Sequence, residues 1–506
     1  MSGHGAMDRG WSSSVGRLLD GVGGGVLACY VPPGLVDEVL AVTGRSQRRF
    51  RSLPARLGVY FVLALCLFSG ASYGSVIARL VSGRRGGLGA AGWVLPSTTA
   101  LSKLRRRLGA APFELLFRRL SGTSVCRSTP WSHAFGLLLV AWDGTNMDLA
   151  DSPANAEAFG RPSCWKGEAG NPQTRLTALI ACGSRRIIDA AFGTYRTGER
   201  ALAERMLPAL GPGILLLADR GFFSYRLWRA AQATQAHLLW RVQADLHLPV
   251  QQVLPDGSFL SRLTDPADTT RHARKKARRR KAGQAPPPPP VPRGPVVRVV
   301  EAVITVRTDN TTTRTSHFRL LTTLLDPRTT PAADLAATYS KRWACETGFR
   351  EIKTYLRGTR RALRAADPET ARQELWAYLI VYQAIRHIIC LTALRRQDIE
   401  PARISFTATR DAVQDAITIT PRRANAHAEQ IYQDLSQRLI TKHVTCRTCP
   451  RMAKRPVFHY PSRQASTAPA SQNATYHLTI TTPDTPNTQT QHQHDQETTT
   501  TQTRTP

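Results

Sequence analysis

The stretch AFGLLLVAWD, residues 134–143, decides the fold that we predict for this chain. A continuous apolar run that ends in an acid is typical of a strand buried on both faces of a sheet. GILLLADR, residues 213–220, repeats the pattern. Because a carboxylate is costly inside a sheet, we expect Asp143 and Asp219 at the carboxyl ends of two central strands, where they can meet a cation. Taken alone, each aspartate is also explained as an ordinary strand-end or capping acid.

The segments around these two strands predict the rest of an α/β core. Residues 175–182 and 186–195 are apolar and separated by a short turn, which indicates a hairpin. Residues 198–210 and 224–234 have helical periodicity, and residues 236–242 indicate a last strand. Three strands followed by helix, strand, helix and strand is the order of the RNase H-like fold, a mixed sheet flanked by helices.

A β-rich insertion is predicted for residues 243–330, where short strands replace the alternation of strands and helices. Within it, the basic and proline-rich residues 265–295 should be disordered, because they cannot bury enough apolar surface. Eight of the eleven residues 271–281 are Lys or Arg. This run is either an electrostatic tether to DNA or a solvated loop without a role. The insertion divides the α/β core into residues 134–242 and 331–440.

The regions outside the core differ in composition. Residues 34–125 are mostly helical and carry cations at 103–107, Arg118 and Arg119, which indicate either DNA contacts or an amphipathic surface. Residues 375–394 predict an apolar helix packed on the back of the sheet. The remaining predictions are a flexible N-terminus at 1–33, a basic segment at 441–461 and a disordered, Thr-rich tail at 462–506.

The net charge of +32 on 506 residues is the strongest compositional signal. Such a field attracts polyanions, and nucleic acid is the first candidate because neutralised phosphates release counterions. A GC-rich genome would also give an excess of Arg over Lys without selection for DNA binding. Charge therefore permits a DNA-binding function, and the motifs must decide it.

The sequence indicates a cytoplasmic protein without a membrane partner. Its nine cysteines have no regular spacing, so neither a disulfide scaffold nor secretion is implied. The N-terminus lacks the apolar core of a signal peptide. Residues 57–71 are apolar but too short to span a bilayer comfortably, which favours a buried helix.

A second decisive stretch is YSKRWACETGFREIK, residues 339–353. On a uniform α-helix, four of its polar residues fall within an arc of about 60°. They are Tyr339, Arg342, Glu346 and Lys353. A solvated charged face is the plain interpretation, but the flanking rings of Trp343 and Phe349 favour a stripe that faces a site.

The spacing of these four residues resembles the signature of DDE transposases of the insertion-element-4 family. The resemblance covers roughly residues 30–460 and implies that Asp143, Asp219 and Glu346 are the catalytic, metal-binding carboxylates. Carboxylates suit Mg²⁺, and we expect two ions, for which Mn²⁺ can substitute. The resemblance also implies that the helical residues 34–125 form a separate domain that recognises the element's ends. Asp148, Asp151 and Asn155, which recur in the block after Asp143, are expected to shape the loop.

The reaction implied by the resemblance is two-metal phosphoryl transfer, which cleaves the ends of an insertion sequence and joins them to target DNA. Tyr339, Arg342 and Lys353 would contact DNA phosphates. The expected partner is double-stranded DNA, bound by a homodimer because two ends must be processed together. A metal-dependent nuclease of the same fold is an alternative enzyme. A non-catalytic DNA-binding protein derived from a transposase is the alternative outside enzymes, but it would need the loss of a carboxylate.

A zinc site near the C-terminus is a weaker possibility. Cys446 and Cys449, with His443 and His459, have spacings that metal ligands can take. A single CxxC in a basic segment is more often incidental. We do not assign zinc as a cofactor.

Overall fold

The computed structural model divides the chain into two compact units. The first unit takes in residues 1–133, 142–209 and 343–445, and the second takes in 134–141, 210–342 and 446–506. The structure describes residues 26–46, 53–82, 93–122, 130–164, 167–168, 170–287, 293–307, 313–359, 361–396, 399–418, 433 and 475–483. Cys446 and Cys449, with the basic segment 441–461, lie outside the described residues.

The first unit begins with six helices: α1 (Val26–Tyr30), α2 (Pro33–Val42), α3 (Ala55–Leu67), α4 (Tyr73–Val81), α5 (Thr98–Leu108) and α6 (Ala111–Leu120). Helix α3 is buried at every position except Arg56, which confirms the buried helix predicted from its apolar run. Ser72 and Ser97 cap α4 and α5 by accepting backbone N–H groups. The predicted helical N-terminal region is therefore present. Its described helices belong to the same compact unit as residues 142–209 and 343–445, and α3 and α6 pack on a long C-terminal helix.

That long helix is α13 (Pro368–Arg396). It is long and apolar enough to span a membrane, yet 83% of its most apolar window is buried inside the protein, as in a core helix. Four buried polar residues of this helix bond to residues outside it: Gln373, Glu374, Gln383 and Arg386. The amide of Gln383, for example, accepts the N–H of Ile187 at 2.9 Å and donates to its carbonyl at 2.7 Å. The predicted packing of α13 against the sheet is therefore confirmed.

The sheet of the first unit has the order β6-β5-β2, formed by β2 (Leu137–Asp148), β5 (Gln173–Ala181) and β6 (Ile187–Thr194). β5 and β6 are the predicted antiparallel hairpin. β1 (His133–Ala134) pairs with β2, and β3 (Ser163–Cys164) pairs with β4 (Gly167–Glu168). Two short helices, α7 (Pro153–Phe159) and α8 (Glu199–Glu204), complete these elements.

The strand β2 is longer than predicted. The apolar pattern placed its end at Asp143, but the strand runs on to Asp148. Beyond Trp142 only Met147 is buried, because backbone pairing continues where apolar side chains stop. Asp143 therefore lies inside a strand, at the point where its burial ends, and not after it.

The second unit contains the first residues of β2, followed in sheet order by β7 (Ile214–Ala218), β8 (His237–Val242), β12 (Thr313–Thr322), β11 (Val296–Arg307), β10 (Phe259–Arg262) and β9 (Gln252–Val253). The pairs β2·β7 and β7·β8 are parallel, and the strands of the insertion are antiparallel. Helix α9 (Tyr225–Ala233) connects β7 to β8, and α11 (Ala332–Tyr339) follows the insertion. The mixed, RNase H-like sheet and the β-rich insertion are as predicted.

Two segments predicted to be disordered have regular structure. Within residues 265–295, α10 (Pro266–Lys281) is a helix without a buried residue. Asp265 caps it, Pro266 begins it, and its many Arg, Lys and Ala residues favour the helix, so it forms without a core. In the Thr-rich tail, β13 (Thr475–Ile480) pairs with residues 302–307 of β11, beyond the part that pairs with β10, because a free strand edge bonds through backbone groups whatever the side chains.

Candidate active site

The sequence predicted that the signature residues lie on one uniform α-helix. The structure instead divides them among several helical segments. Helix α11 ends at Tyr339, and a 3-10 turn covers Ser340–Arg342. Helix α12 (Trp343–Arg350) follows and passes into a π-helical turn, Glu351–Leu356. The arc that we calculated for a regular helix therefore does not describe these side chains. π-helical turns occur frequently at functional sites, and Lys353 lies within this one.

The second unit holds Asp219, Tyr339 and Arg342. All five residues of β7 are buried, and Asp219 follows directly, as predicted. Its carbonyl accepts the N–H of Phe222 at 2.9 Å, which turns the chain away from the sheet. Its Oδ1 is buried and has no hydrogen-bond partner among the described residues. A buried carboxylate oxygen without a donor is costly, so this atom is placed to receive a cation or a donor from a ligand.

Tyr339 is fixed beside this aspartate. Its hydroxyl donates to the carbonyl of Ala218 at 3.4 Å, and its ring stacks on Phe318 with centroids 6.5 Å apart. Burial raises the pKa of Tyr339, and the negative charge of Asp219 adds to this, whereas Arg342 hydrogen-bonds to the phenol and opposes the shift. Tyr339 is therefore a neutral donor at physiological pH. The structure brings Asp219, Tyr339 and Arg342 together at the end of β7.

The first unit holds Asp143, Glu346 and Lys353. Oδ1 of Asp143 accepts the N–H of Gly144 at 2.9 Å. Lys353 donates from Nζ to Oγ1 of Thr145 at 3.1 Å, which brings it to the same part of β2. Glu346 lies in the first turn of α12, half-buried, seven residues before Lys353.

Lys353 has one cationic and one anionic neighbour, so its own charge is not fully compensated. Burial lowers the pKa of Lys353, the neighbouring Arg357 lowers it further, and Asp148 opposes both. Asp148 also accepts from the side-chain amide of Gln173 at 2.7 Å. The predicted loop residue Asp148 is thus part of the electrostatic surroundings of Lys353.

Other residues of the predicted block hold the loop together. Asn155 is fully buried and donates to the carbonyls of Ala150 and Ala365 at 3.0 and 2.9 Å. Asp151 pairs with Arg161 at the surface. Both confirm the expected structural role.

Arg105 corrects the prediction that the basic run 103–107 is a surface available to DNA or solvent. It is 3% exposed and donates to Gln373 at 3.0 Å and to Tyr73. Its guanidinium also pairs with Glu374 at 3.5 Å. The cation therefore ties α5 to α13 and is closed to a ligand.

Two residues of the site had no signal in the sequence. The carboxylate of Glu199 lies against Gly144, where a Cβ would be 2.5 Å from its Oε1. Arg357 is buried beside Lys353 and Asp148. Both come from segments far from β2 in the chain, and no spacing rule connects them to Asp143.

A divalent cation fits these residues by donor type. Among the described residues, no three His, Cys, Asp or Glu side chains are grouped closely enough to hold a metal. The oxygen donors of Asp143, Asp219 and Glu346 are nevertheless the type that Mg²⁺ prefers. The unpartnered Oδ1 of Asp219 is the observation in the structure that favours such an ion.

Comparisons with known proteins agree with this chemistry. The family described as insertion element 4 transposase N-terminal matches residues 23–118, and the transposase DDE domain matches residues 135–384. Transposase InsG for insertion sequence element IS4, from Escherichia coli strain K12, is 27% identical over 86% of this chain and 93% of its own length. Putative transposase InsZ from the same organism is 29% identical over 39% of this chain and 64% of its own length.

A solved structure of the piggyBac transposase synaptic complex with hairpin DNA aligns with 84% of this chain and 90% of its own. The TM-score is 0.39 and the identity 9%, so this likeness carries no argument about the chain. The two family matches and the InsG relative carry the assignment.

Proposed function

Since this chain belongs to the insertion-element-4 family of DDE transposases and is a DNA-cleaving enzyme, we propose that it cuts the ends of an insertion sequence and joins them to target DNA. Asp143, Asp219 and Glu346 are the proposed catalytic residues. The observation that carries this proposal is the buried, unpartnered Oδ1 of Asp219, directly after a fully buried strand. Without a ligand this oxygen has no hydrogen bond to offset its burial, whereas in a cation site it would coordinate the ion.

Asp143, Asp219 and Glu346 would hold two Mg²⁺ ions, with Mn²⁺ as a substitute. When bound, the ions would activate a water or a DNA 3′-hydroxyl and stabilise the leaving 3′-oxygen. The protein's part is to orient the carboxylates. The N–H of Gly144 does this for Asp143 by donating to its Oδ1, and the turn at Phe222 fixes the backbone of Asp219.

Tyr339, Arg342 and Lys353 would contact the DNA backbone. Tyr339 remains a neutral donor because its pKa is raised, and Arg342 beside it supplies charge. Lys353 is held by Thr145, so its ammonium is oriented before DNA binds. Pre-oriented donors lose less conformational entropy on binding than mobile ones. We assign recognition of the element's ends to residues 34–125, and we expect a cytoplasmic homodimer on paired ends.

The presence of all three carboxylates favours an enzyme over a binding protein derived from a transposase. A nuclease of the same fold would hydrolyse DNA but would not join it. The signature from Tyr339 to Lys353 and the β-rich insertion favour transposition.

The test is cleavage and strand transfer on DNA that carries the inverted repeats flanking the gene, with Mg²⁺. Asp143→Asn, Asp219→Asn and Glu346→Gln should each lower both activities by on the order of 10³-fold or more, because each removes a contribution of several kcal/mol to the transition state. DNA binding should be retained. Asp151→Asn is the matched control, since Asp151 is a surface carboxylate paired with Arg161.

Each alternative has its own outcome. Variants that cut like the native chain would refute the carboxylate assignment. A native chain that hydrolyses ends and never joins them would be a nuclease. One that binds DNA and cuts with neither Mg²⁺ nor Mn²⁺ would be a binding protein.

A further inference from the structure

A basic cleft lies within the first unit, beside the segment that follows the π-helical turn. It consists of two adjoining cavities of about 370 and 730 Å³. They share the turn at residues 69–72, between α3 and α4, and the side chain of Arg361. We call this feature the arginine cleft. Together its walls include five arginines: Arg79, Arg357, Arg361, Arg364 and Arg410.

The acidic residue in these walls, Glu374, is already engaged. Its Oε1 accepts the N–H of Arg364 at 3.3 Å, and its Oε2 accepts the N–H of Ala365 at 3.2 Å. Arg105 pairs with the same carboxylate from inside the unit at 3.5 Å. Arg410 is also engaged, since it pairs with Asp411. Two carboxylates against five guanidinium groups still leave the walls of the cleft positive.

Arg357 is the residue that indicates a ligand. It is 3% exposed and lines the smaller cavity. Its Nε and Nη1 have no hydrogen-bond partner in the part of the chain that the structure describes. Electrostatic interactions with Asp148, Tyr378 and Glu374 favour the guanidinium, but two of its three nitrogens remain without an acceptor among the described residues, which is costly in a buried position. An anionic ligand with several acceptor oxygens would complete it.

Arg364 holds the turn at residues 69–72 in place within the same lining. Its guanidinium donates to the carbonyls of Ser69 and Ala71. The exposed guanidinium of Arg361 lies over this turn, where a Cβ on Gly70 would be 2.8 Å from its Nη1. Arg361 and Arg357 therefore both line the smaller cavity, one exposed and one buried.

We propose that the arginine cleft binds consecutive phosphates of a DNA strand. Arg357 is four residues beyond Lys353 and lies in the same electrostatic environment, because the charge of Asp148 acts on both cations. A strand whose phosphate is held by Lys353 can thus continue to Arg357 and then to Arg361. A free phosphate would satisfy Arg357 alone, whereas a polymer engages both cavities. The proposal rests on the proposed function, since it concerns the same DNA substrate.

The experiment measures the affinity of the full chain for a short DNA duplex of arbitrary sequence as a function of salt concentration. Each lost phosphate contact should reduce the slope of log K against log salt by about 0.9. Arg361→Ala and Arg357→Met should each show this loss, and Arg361→Lys should restore most of it. Arg328→Ala is the matched control, because Arg328 is 89% exposed and pairs only locally with Asp326.

Unchanged slopes in both Arg361→Ala and Arg357→Met would overturn the proposal. So would an equal loss in the control, since that would report net charge and not a cleft. Arg361 is exposed, so its variants remain informative if Arg357→Met does not fold. Added inorganic phosphate should compete only weakly with DNA. If phosphate abolishes DNA binding and this competition requires Arg357 but not Arg361, the site binds a single anion and the proposal of a strand is wrong. Because the readout is binding, a chain that never cuts DNA can still confirm or refute the cleft.

Discussion

Two buried arginines, one in each unit, show how differently this protein treats the same side chain. Arg298 in the insertion is fully buried and Arg357 nearly so. Arg298 donates to Ser258 at 2.8 Å and to the carbonyl of Thr330 at 2.7 Å, and it pairs with Asp256. Arg357 leaves Nε and Nη1 without a partner among the described residues. A completed network indicates a structural role, whereas an incomplete one that lines a cavity indicates a place for a ligand.

The completed network also positions part of the active site. Oδ2 of Asp256 accepts the N–H of Ala332 at 2.8 Å, at the first residue of α11. This bond satisfies one of the free N–H groups at the start of a helix and adds a favourable charge there. Because α11 ends at Tyr339, the Arg298 network sets the origin of the helix that carries the tyrosine. The insertion therefore supports the site as well as extending the sheet.

The largest effect on stability should come from removing the carboxylate partner of Arg298, which leaves its hydrogen bonds incomplete like those of Arg357. Asp256→Ala leaves a fully buried guanidinium without its carboxylate and removes the acceptor at the start of α11. We expect the free energy of unfolding to fall by about 3 kcal/mol, measured by denaturant titration. Asp245→Ala, at an exposed position of the same unit, should change it by less than about 0.5 kcal/mol. Equal effects would show that the network contributes no more than a surface residue.

His387 offers a third way to bury a basic side chain, which is to lose its charge. Burial lowers the pKa of His387 to about 4, and Arg186 adds to the shift. Its ring packs on Tyr30 at 5.1 Å. Since the folded-state pKa lies below the unfolded value of about 6.5, the unfolded state binds the proton first. Stability should therefore fall as the pH drops below 6.5, by about 2 kcal/mol near pH 5.

The control for this pH dependence is His387→Phe, which keeps an aromatic ring but cannot titrate. The difference in unfolding free energy between the two proteins, measured at several pH values, isolates the histidine from the carboxylates. A difference that is constant from pH 8 to about pH 5 would contradict the lowered pKa.

The smallest effect should come from removing Arg357, the cation whose hydrogen bonds are incomplete. Arg357→Met replaces a buried charge with an apolar chain of similar length. Such replacements are often neutral or stabilising, so we expect unfolding free energy to stay unchanged or rise by about 1 kcal/mol. The same variant should lose DNA affinity. If the free energy of unfolding falls by more than about 2 kcal/mol, Arg357 is a structural residue like Arg298, and the contrast between them does not hold.

The sequence alone predicted the elements whose cause is local. The apolar runs of β2 and β7, the helix α3 and the hairpin β5·β6 follow from burial patterns that neighbouring residues share. The placement of Asp219 after β7 followed from the same pattern. The spacing from Tyr339 to Lys353 identified the family before any geometry was known. Where polar residues formed structure, in α10, β13 and the second half of β2, the prediction was wrong because no burial pattern reported it.

Only the tertiary structure decided which charges are satisfied. The sequence around Arg105, Arg298 and Arg357 does not distinguish them. In the structure the first two pair with carboxylates from distant segments, whereas Nε and Nη1 of the third have no hydrogen-bond partner among the described residues. The helix carrying the signature changes from 3-10 to α to π form, which no periodicity of its own residues indicated. Burial patterns are properties of a segment, whereas the partner of a charge depends on which segments the fold brings within hydrogen-bond distance.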